Sequence, residues 1–209
     1  KGVYIRQGYG LTEVGPNVFS LHQDDAIRKK GSIGFPNFYF DVKIVDDNGN
    51  ELGANEVGEL WLKSSVVTPG YWRKPEETAK AITDGWFHTG DMVTKDDEGY
   101  FFVVDRKKNM FISGGENVYP AEIERFLLTH PAIKEAAVIG VQDEKWGEVG
   151  KAFIVANEGE KISSVDAAEY CKGKLAKYKT PKYFEVVKEI PKNEAWKIDR
   201  KKLLAIHYK

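Results

Sequence analysis

The sequence predicts an α+β protein built as two bodies, residues 1–105 and residues 106–209. Three observations lead there. The first half reads as short apolar runs broken by Asp, Asn and Gly clusters, the pattern of strands and turns. Arg106, Lys107, Lys108 and Asn109 form a charged connector between two strand-like runs. The second half alternates helical and strand periods over about a hundred residues, a common domain size.

The elements follow in order. FDVKIV at 40–45 reads as a strand closed by the turn DDNGNE, and GELWLKS at 58–64 as the next strand. KPEETAKAI at 74–82 reads as a short helix, with Pro75 early and Glu76 and Glu77 in its first turn. TDGWFHTGD at 83–91 reads as a loop, and DEGYFFVVD at 97–105 as a turn feeding a strand. Beyond the connector, MFI at 110–112 is a strand and SGGEN at 113–117 a turn. PAEIERFLLTH at 120–130 is a helix with Ile123, Phe126 and Leu127 on one face. EAAVIGV and GKAFIVA are strands. Ser163 opens a helix with Asp166 three residues on, a capping-box spacing. Ala168, Cys171 and Leu175 would form its buried face, which makes the lone thiol core rather than catalytic. YFEVV at 183–187 is a last strand and DRKKLLAIHY at 199–208 a last helix.

Composition excludes several functions. Of 209 residues, 42% are hydrophobic and 30% charged, the balance of a globular chain with a real core. A formal net charge of -1 argues against electrostatic nucleic-acid binding by the whole chain. No apolar run reaches membrane-span length, and no charged-then-apolar leader opens the chain. A single cysteine makes no internal disulfide, which suits a reducing, cytoplasmic setting. The first residue is Lys1, so the expectation is a piece of a longer protein. Residues 172–209 hold 12 Lys or Arg against 4 Asp or Glu, either a solvated face or one that attracts phosphates.

Three stretches have residue types suited to chemistry. In QGYGLTE at 7–13, Gly8 and Gly10 would let backbone approach a ligand, and Tyr9 could stack on a base. There Thr12 could bond a phosphate and Glu13 hold Mg²⁺; the same letters also describe a plain glycine turn. In WFHTGD, Asp91 could accept bonds from vicinal hydroxyls or bond its own backbone in a turn, and His88 would order the loop. SGGEN could be a phosphate nest, without a GxGxxG or Walker pattern.

Together these stretches carry a resemblance. QGYGLTE, GELWLKS with PGYW, DGWFHTGD, DRKKNMFISGGENVYPAEIE and PKNEAWKIDRKKL occur in the order found in the adenylate-forming superfamily of acyl-CoA synthetases and related ligases. The chain is similar to that family from its first residues to its last few. GGENVYPAEIE most resembles the fatty-acyl-CoA ligase branch.

The resemblance implies a β-rich C-terminal part of a large domain, then a hinge and a small mobile α+β domain. It implies ATP, Mg²⁺ and CoA as co-substrates and cofactor, and a carboxylic acid, expected to be a fatty acid, as substrate. It implies that Tyr9 packs on adenine beside Gly10, that Thr12 contacts the α-phosphate region and that Glu13 serves Mg²⁺. Asp91 and Arg106 would bind the ribose. Lys108 would be the hinge, and Ser113 to Asn117, with Gly114, Gly115 and Asn117, would line the pantetheine channel. Lys197 would reach the carboxylate and α-phosphate during adenylation. The family's phosphate loop would lie in an upstream N-terminal part of the same protein, so this chain alone is expected to be inactive. Two departures stand out: Asn109 where an aspartate is common, and Trp196 where a glycine usually precedes the lysine. Two alternatives remain at this stage, an adenylation domain that loads a carrier protein and a non-catalytic nucleotide-binding piece.

Overall fold

The structure, a computed structural model, describes Val3 and residues 6–208. It divides into two compact units, Lys1–Lys107 and Lys108–Lys209. Helices and strands are mixed in an α+β manner, as the sequence predicts.

The first unit is a mixed-length antiparallel sheet. Its strands are β1 (Gly8–Leu11), β2 (Gly15–Ser20), β3 (Ser32–Pro36), β4 (Asp41–Val45), β5 (Gly58–Lys63), β6 (Ile82–Thr83), β7 (Trp86–Lys95) and β8 (Phe101–Arg106). They run in the order β1-β2-β3-β8-β7-β5-β4, with β6 beside β7. One helix, α1 (Pro75–Ala81), starts on its proline. Val18, Phe19, Ile44, Leu60, Leu62, Phe87 and Val93 fill the core, each side chain supplying roughly 1.5–3 kcal/mol on burial.

One sequence expectation fails here. TDGWFHTGD is not a loop: Thr83 ends β6, Asp84 and Gly85 make the turn, and residues 86–91 lie in the ten-residue β7. Phe87, Thr89 and Asp91 are buried at strand period two. Glycine misled the reading because Gly90, at φ 67°, is a bulge within the strand rather than its end.

Among the described residues, the second unit has five strands: β9 (Phe111–Ser113), β10 (Glu116–Val118), β11 (Ile133–Asp143), β12 (Gly147–Ala156) and β13 (Tyr183–Val186). Their order is β10-β9-β12-β11, and β13 pairs with β12 in parallel. SGGEN is therefore a hairpin rather than only a turn, with Ser113 opposite Glu116. Its two loop residues, Gly114 and Gly115, have φ of 62° and 89°, as a two-residue hairpin demands.

Helices α2 (Pro120–Leu127) and α3 (Ser164–Cys171) share one apolar cluster with β11 and β12; α4 (Arg200–His207) contributes Leu203 to another. Along β11, Ala136 and Val138 join the first cluster, while Ala137, Ile139 and Val141 join the second. Both faces are covered, which explains why EAAVIGV and GKAFIVA lack polar alternation. Ser163 and Asp166 form the full capping box. Its helix is shorter than read: Lys172 is extended, so α3 ends at Cys171 and buries Ala167 rather than Ala168. Leu175 still packs on that core from beyond the helix. Burial pushes the Cys171 thiol up to about 11, which leaves it inert in neutral solution.

Candidate nucleotide site and lysine turn

Asp91 is the centre of a buried polar cluster in the first unit. Its side chain is 5% exposed. The Tyr9 hydroxyl donates to Oδ2 at 2.5 Å, and Arg106 Nε donates to Oδ1 at 2.6 Å. Tyr9 comes from β1, Asp91 from β7 and Arg106 from β8, where it stands directly opposite Asp91. Burial, and then the neighbouring Asp91 charge, push the Tyr9 phenol far above its ordinary value. Tyr9 therefore remains a donor at any working pH. Thr89 Oγ1 accepts the Asp91 N–H at 3.0 Å and donates to the Leu60 carbonyl at 2.7 Å. Asp91 thus follows the bulge at Gly90 and bonds side chains from two other strands.

His88 lies within β7 rather than in a loop. It stacks on Trp61 with ring centroids 3.8 Å apart and planes 9° from parallel. Burial lowers its pKa.

Thr12 and Glu13 occupy the turn between β1 and β2, where the Val14 N–H reaches the Leu11 carbonyl. Thr12 is exposed. Glu13 Oε1 accepts a hydrogen bond from the Tyr71 hydroxyl at 2.9 Å, and its carbonyl accepts from the Thr68 N–H at 2.8 Å. The loop carrying PGYW is thus strapped onto this hairpin. The sequence reading used PGYW only as a resemblance marker and missed Tyr71. Gly10 is required by the hairpin itself, since a Cβ there would lie 2.4 Å from the Gly15 carbonyl oxygen.

In the second unit, Trp146 covers the Gly114–Gly115 hairpin. Gly114 N–H donates to the Trp146 carbonyl at 2.9 Å, and a Cβ on Gly114 would sit 2.6 Å from the indole. A cavity of about 320 Å³ lies beside it, lined by Ser113, Gly114, Trp146, Lys177, Tyr178 and Lys182 among others. Lys182 is bound to Asp143 at 2.5 Å, which raises its pKa. Asn117 is exposed on β10.

Lys197 sits on a tight turn. Lys192 bridges Ile198, and the Asn193 N–H donates to the Lys197 carbonyl at 2.8 Å. Asn193 Oδ1 accepts from the N–H groups of Ala195 and Lys197 at 3.0 and 3.1 Å. Trp196 takes φ 57°, the left-handed region, and its residue is 83% exposed. That backbone explains the glycine expected at this position: a Cβ there costs about 1–2 kcal/mol. Lys108 and this turn share a cavity of about 600 Å³, to which Asn193, Ile198 and Asp199 contribute.

Comparison with known proteins settles the family. The AMP-binding enzyme model matches residues 1–72, and the AMP-binding enzyme C-terminal domain model matches residues 122–197. The chain belongs to the AMP-binding enzymes. Feruloyl-CoA synthase of an Amycolatopsis species is 44% identical over 95% of this chain and 40% of its own length. A long-chain-fatty-acid–CoA ligase of Mycobacterium tuberculosis, FadD13, is 44% identical over 95% of this chain and 39% of its own. Among solved structures, o-succinylbenzoate CoA synthetase from Bacillus subtilis with its acyl-adenylate intermediate aligns at a TM-score of 0.89 and 39% identity, over 95% of this chain and 40% of that one. The same enzyme with ATP and magnesium ion aligns at 0.87 and 38%, over 95% and 41%. This AMP-binding chain thus spans about 40% of the length of the relatives it matches. Its two matched segments include the Tyr9–Glu13 hairpin and the Lys197 turn respectively. No described helix is long and apolar enough to cross a membrane.

Proposed function

We propose that the whole protein carrying this chain is an ATP-dependent acid–thiol ligase that makes an acyl-adenylate and passes the acyl group to CoA. The observation that carries this reading is the Tyr9–Asp91–Arg106 cluster: a buried carboxylate clamped by a tyrosine hydroxyl and an arginine on the sheet of an AMP-binding enzyme. Such a carboxylate accepts hydrogen bonds from the two ribose hydroxyls of ATP, while Arg106 balances its charge. Tyr9 offers its ring to adenine and, through its hydroxyl, keeps Asp91 aimed.

A carboxylic acid is a poor electrophile, and attack of its oxygen on the α-phosphorus of ATP yields acyl-AMP and pyrophosphate. Lys197 neutralises charge that gathers on the α-phosphate and acid in that step. Thr12 donates to the α-phosphate region. The single carboxylate of Glu13 suits Mg²⁺, which takes one or two protein carboxylates and fills its other positions with phosphate oxygens and water. Bound there, the ion would compensate triphosphate charge. In the second step the CoA thiolate displaces AMP. Gly115, where an added Cβ would meet nothing within 4 Å, leaves room for the thiol arm beside Asn117, and Lys177 supports a polyanionic thiol over a neutral one. Lys108 serves as the hinge between the two half-reactions.

For the acid, GGENVYPAEIE supports a fatty acid. Equal identity to a feruloyl-CoA synthase supports an aromatic acid as the second reading. The test is pyrophosphate exchange into ATP by the full-length protein with fatty and aromatic acids, then AMP release on adding CoA. Exchange with an acid and CoA-dependent AMP release are expected. Exchange without CoA dependence would favour loading of a carrier protein, and no exchange with any acid sinks the proposal.

A further inference from the structure

Glu59 is a buried carboxylate to which the reaction above gives no task. It lies on β5 and is 9% exposed. Its two oxygens face different partners. Oε1 accepts the Gly90 N–H at 3.1 Å, and Oε2 accepts from Lys107 Nζ at 3.1 Å. Lys107 also reaches Asp47 Oδ1 at 2.8 Å, in the turn after β4. Each partner is a neighbour of a residue with a proposed role. Gly90 precedes Asp91 and forms the bulge at the register shift between β5 and β7. Lys107 precedes Lys108 and is the last residue of the first unit.

A carboxylate out of water is costly unless it is fully partnered, and removing one partner of such a pair strands the other's charge. Here one oxygen satisfies a backbone donor that the bulge has taken out of the ladder. The other satisfies a lysine whose stem is half buried. The arrangement therefore couples the shape of the bulge to the position of the connector. We propose that Glu59 is a positioning residue that fixes the Asp91 bulge with one oxygen and anchors Lys107 with the other, so that turning of the chain begins at Lys108. This rests on the roles given above to Asp91 and Lys108.

The test separates the two oxygens in the full-length protein. Glu59→Gln keeps an acceptor for Gly90 N–H and gives up the buried one of the two charges that hold Lys107, the exposed Asp47 being the other. Lys107→Met removes the other end of the anchor. Glu59→Ala removes both functions, and should raise the KM for ATP in pyrophosphate exchange roughly tenfold, the cost of a buried donor left unmet. Glu59→Gln and Lys107→Met should leave that KM within about twofold, since the bulge keeps its bond. Both should speed amide hydrogen exchange at residues 105–109 by about tenfold, because the anchor, not the bulge, is lost. Both should also slow thioester formation from pre-made acyl-adenylate more than pyrophosphate exchange. Equal KM for Ala and Gln variants overturns the bulge role. Unchanged hydrogen exchange at 105–109 overturns the anchor. A lower melting temperature with neither change shows a purely structural carboxylate and also overturns the proposal. If the unmodified protein supports no pyrophosphate exchange, the functional reading fails, while the hydrogen-exchange arm still judges the anchor.

Discussion

At the scale of single residues, Trp196 and Tyr71 show how local geometry sets what a side chain does. Trp196 holds a left-handed backbone with its indole in solvent, so replacing it loses little packing. Trp196→Gly is expected to stabilise the second unit by about 1–2 kcal/mol, the relief of backbone strain, measured by urea unfolding of residues 108–209. Unchanged stability would mean that the turn relaxes to suit tryptophan. Tyr71 donates to Glu13, so Tyr71→Phe frees that carboxylate to swing. Loss of one hydrogen bond of ordinary strength should raise the Mg²⁺ concentration for half-maximal pyrophosphate exchange by roughly two- to tenfold. A Mg²⁺ titration of the full-length variant that overlays the parent would exclude the role. Neither outcome follows from residue type alone: tryptophan is usually placed by packing, and tyrosine by burial, whereas here a backbone angle and one acceptor decide.

At the scale of elements, the hairpin β9–β10 and the strand β7 carry the clearest tests. Gly114 and Gly115 both need positive φ, but only Gly114 lies under the Trp146 ring. Gly115→Ala should cost about 1 kcal/mol from backbone strain. Gly114→Ala adds a clash with the indole and should cost roughly 2–4 kcal/mol. Equal losses in denaturant unfolding would show that Trp146 swings aside freely. On β7, burial holds the His88 pKa below its ordinary 6.5. The unfolded state therefore binds more protons than the folded state between the lowered value and 6.5. Stability from this group is full above 6.5 and falls as pH drops toward the folded value. His88→Gln should flatten the unfolding free energy between pH 6.5 and 5, as read by urea titrations at each pH; a parallel slope would exclude His88 as its source. The sequence placed His88 in a loop because Gly85 and Gly90 bracket it. Glycine marks a positive φ, and a bulge and a turn both use one, so the letter cannot separate them.

At the scale of the whole chain, each unit has its own apolar clusters, so we propose that residues 108–209 form a domain able to fold by itself. Expressed alone, that segment should unfold in one cooperative step with dispersed amide resonances; a molten or insoluble product would refute this. Much of its fold was legible beforehand. Ile123, Phe126 and Leu127 at helical spacing announced α2, Ser163 and Asp166 announced a cap, and the apolar runs EAAVIGV and GKAFIVA announced strands. These signals are local, because caps, turns and period are set within a few residues. The order of motifs also carried the family, and the resemblance singled out Tyr9, Asp91, Arg106 and Lys197 as candidates. What the letters left open was which groups meet. Tyr9 and Asp91 are 82 residues apart, and Tyr71 and Glu13 are 58 apart. Glu59 reads only as one acid in a strand. Strand order and register bring these side chains together, and both are fixed by long-range packing of the whole sheet. The sequence by itself therefore determined the family, the α+β class and most elements of the second unit. The tertiary structure alone decided that Asp91 is a buried, clamped carboxylate and that Glu59 ties its bulge to Lys107, because a hydrogen-bond partner is chosen by distance in space and not along the chain.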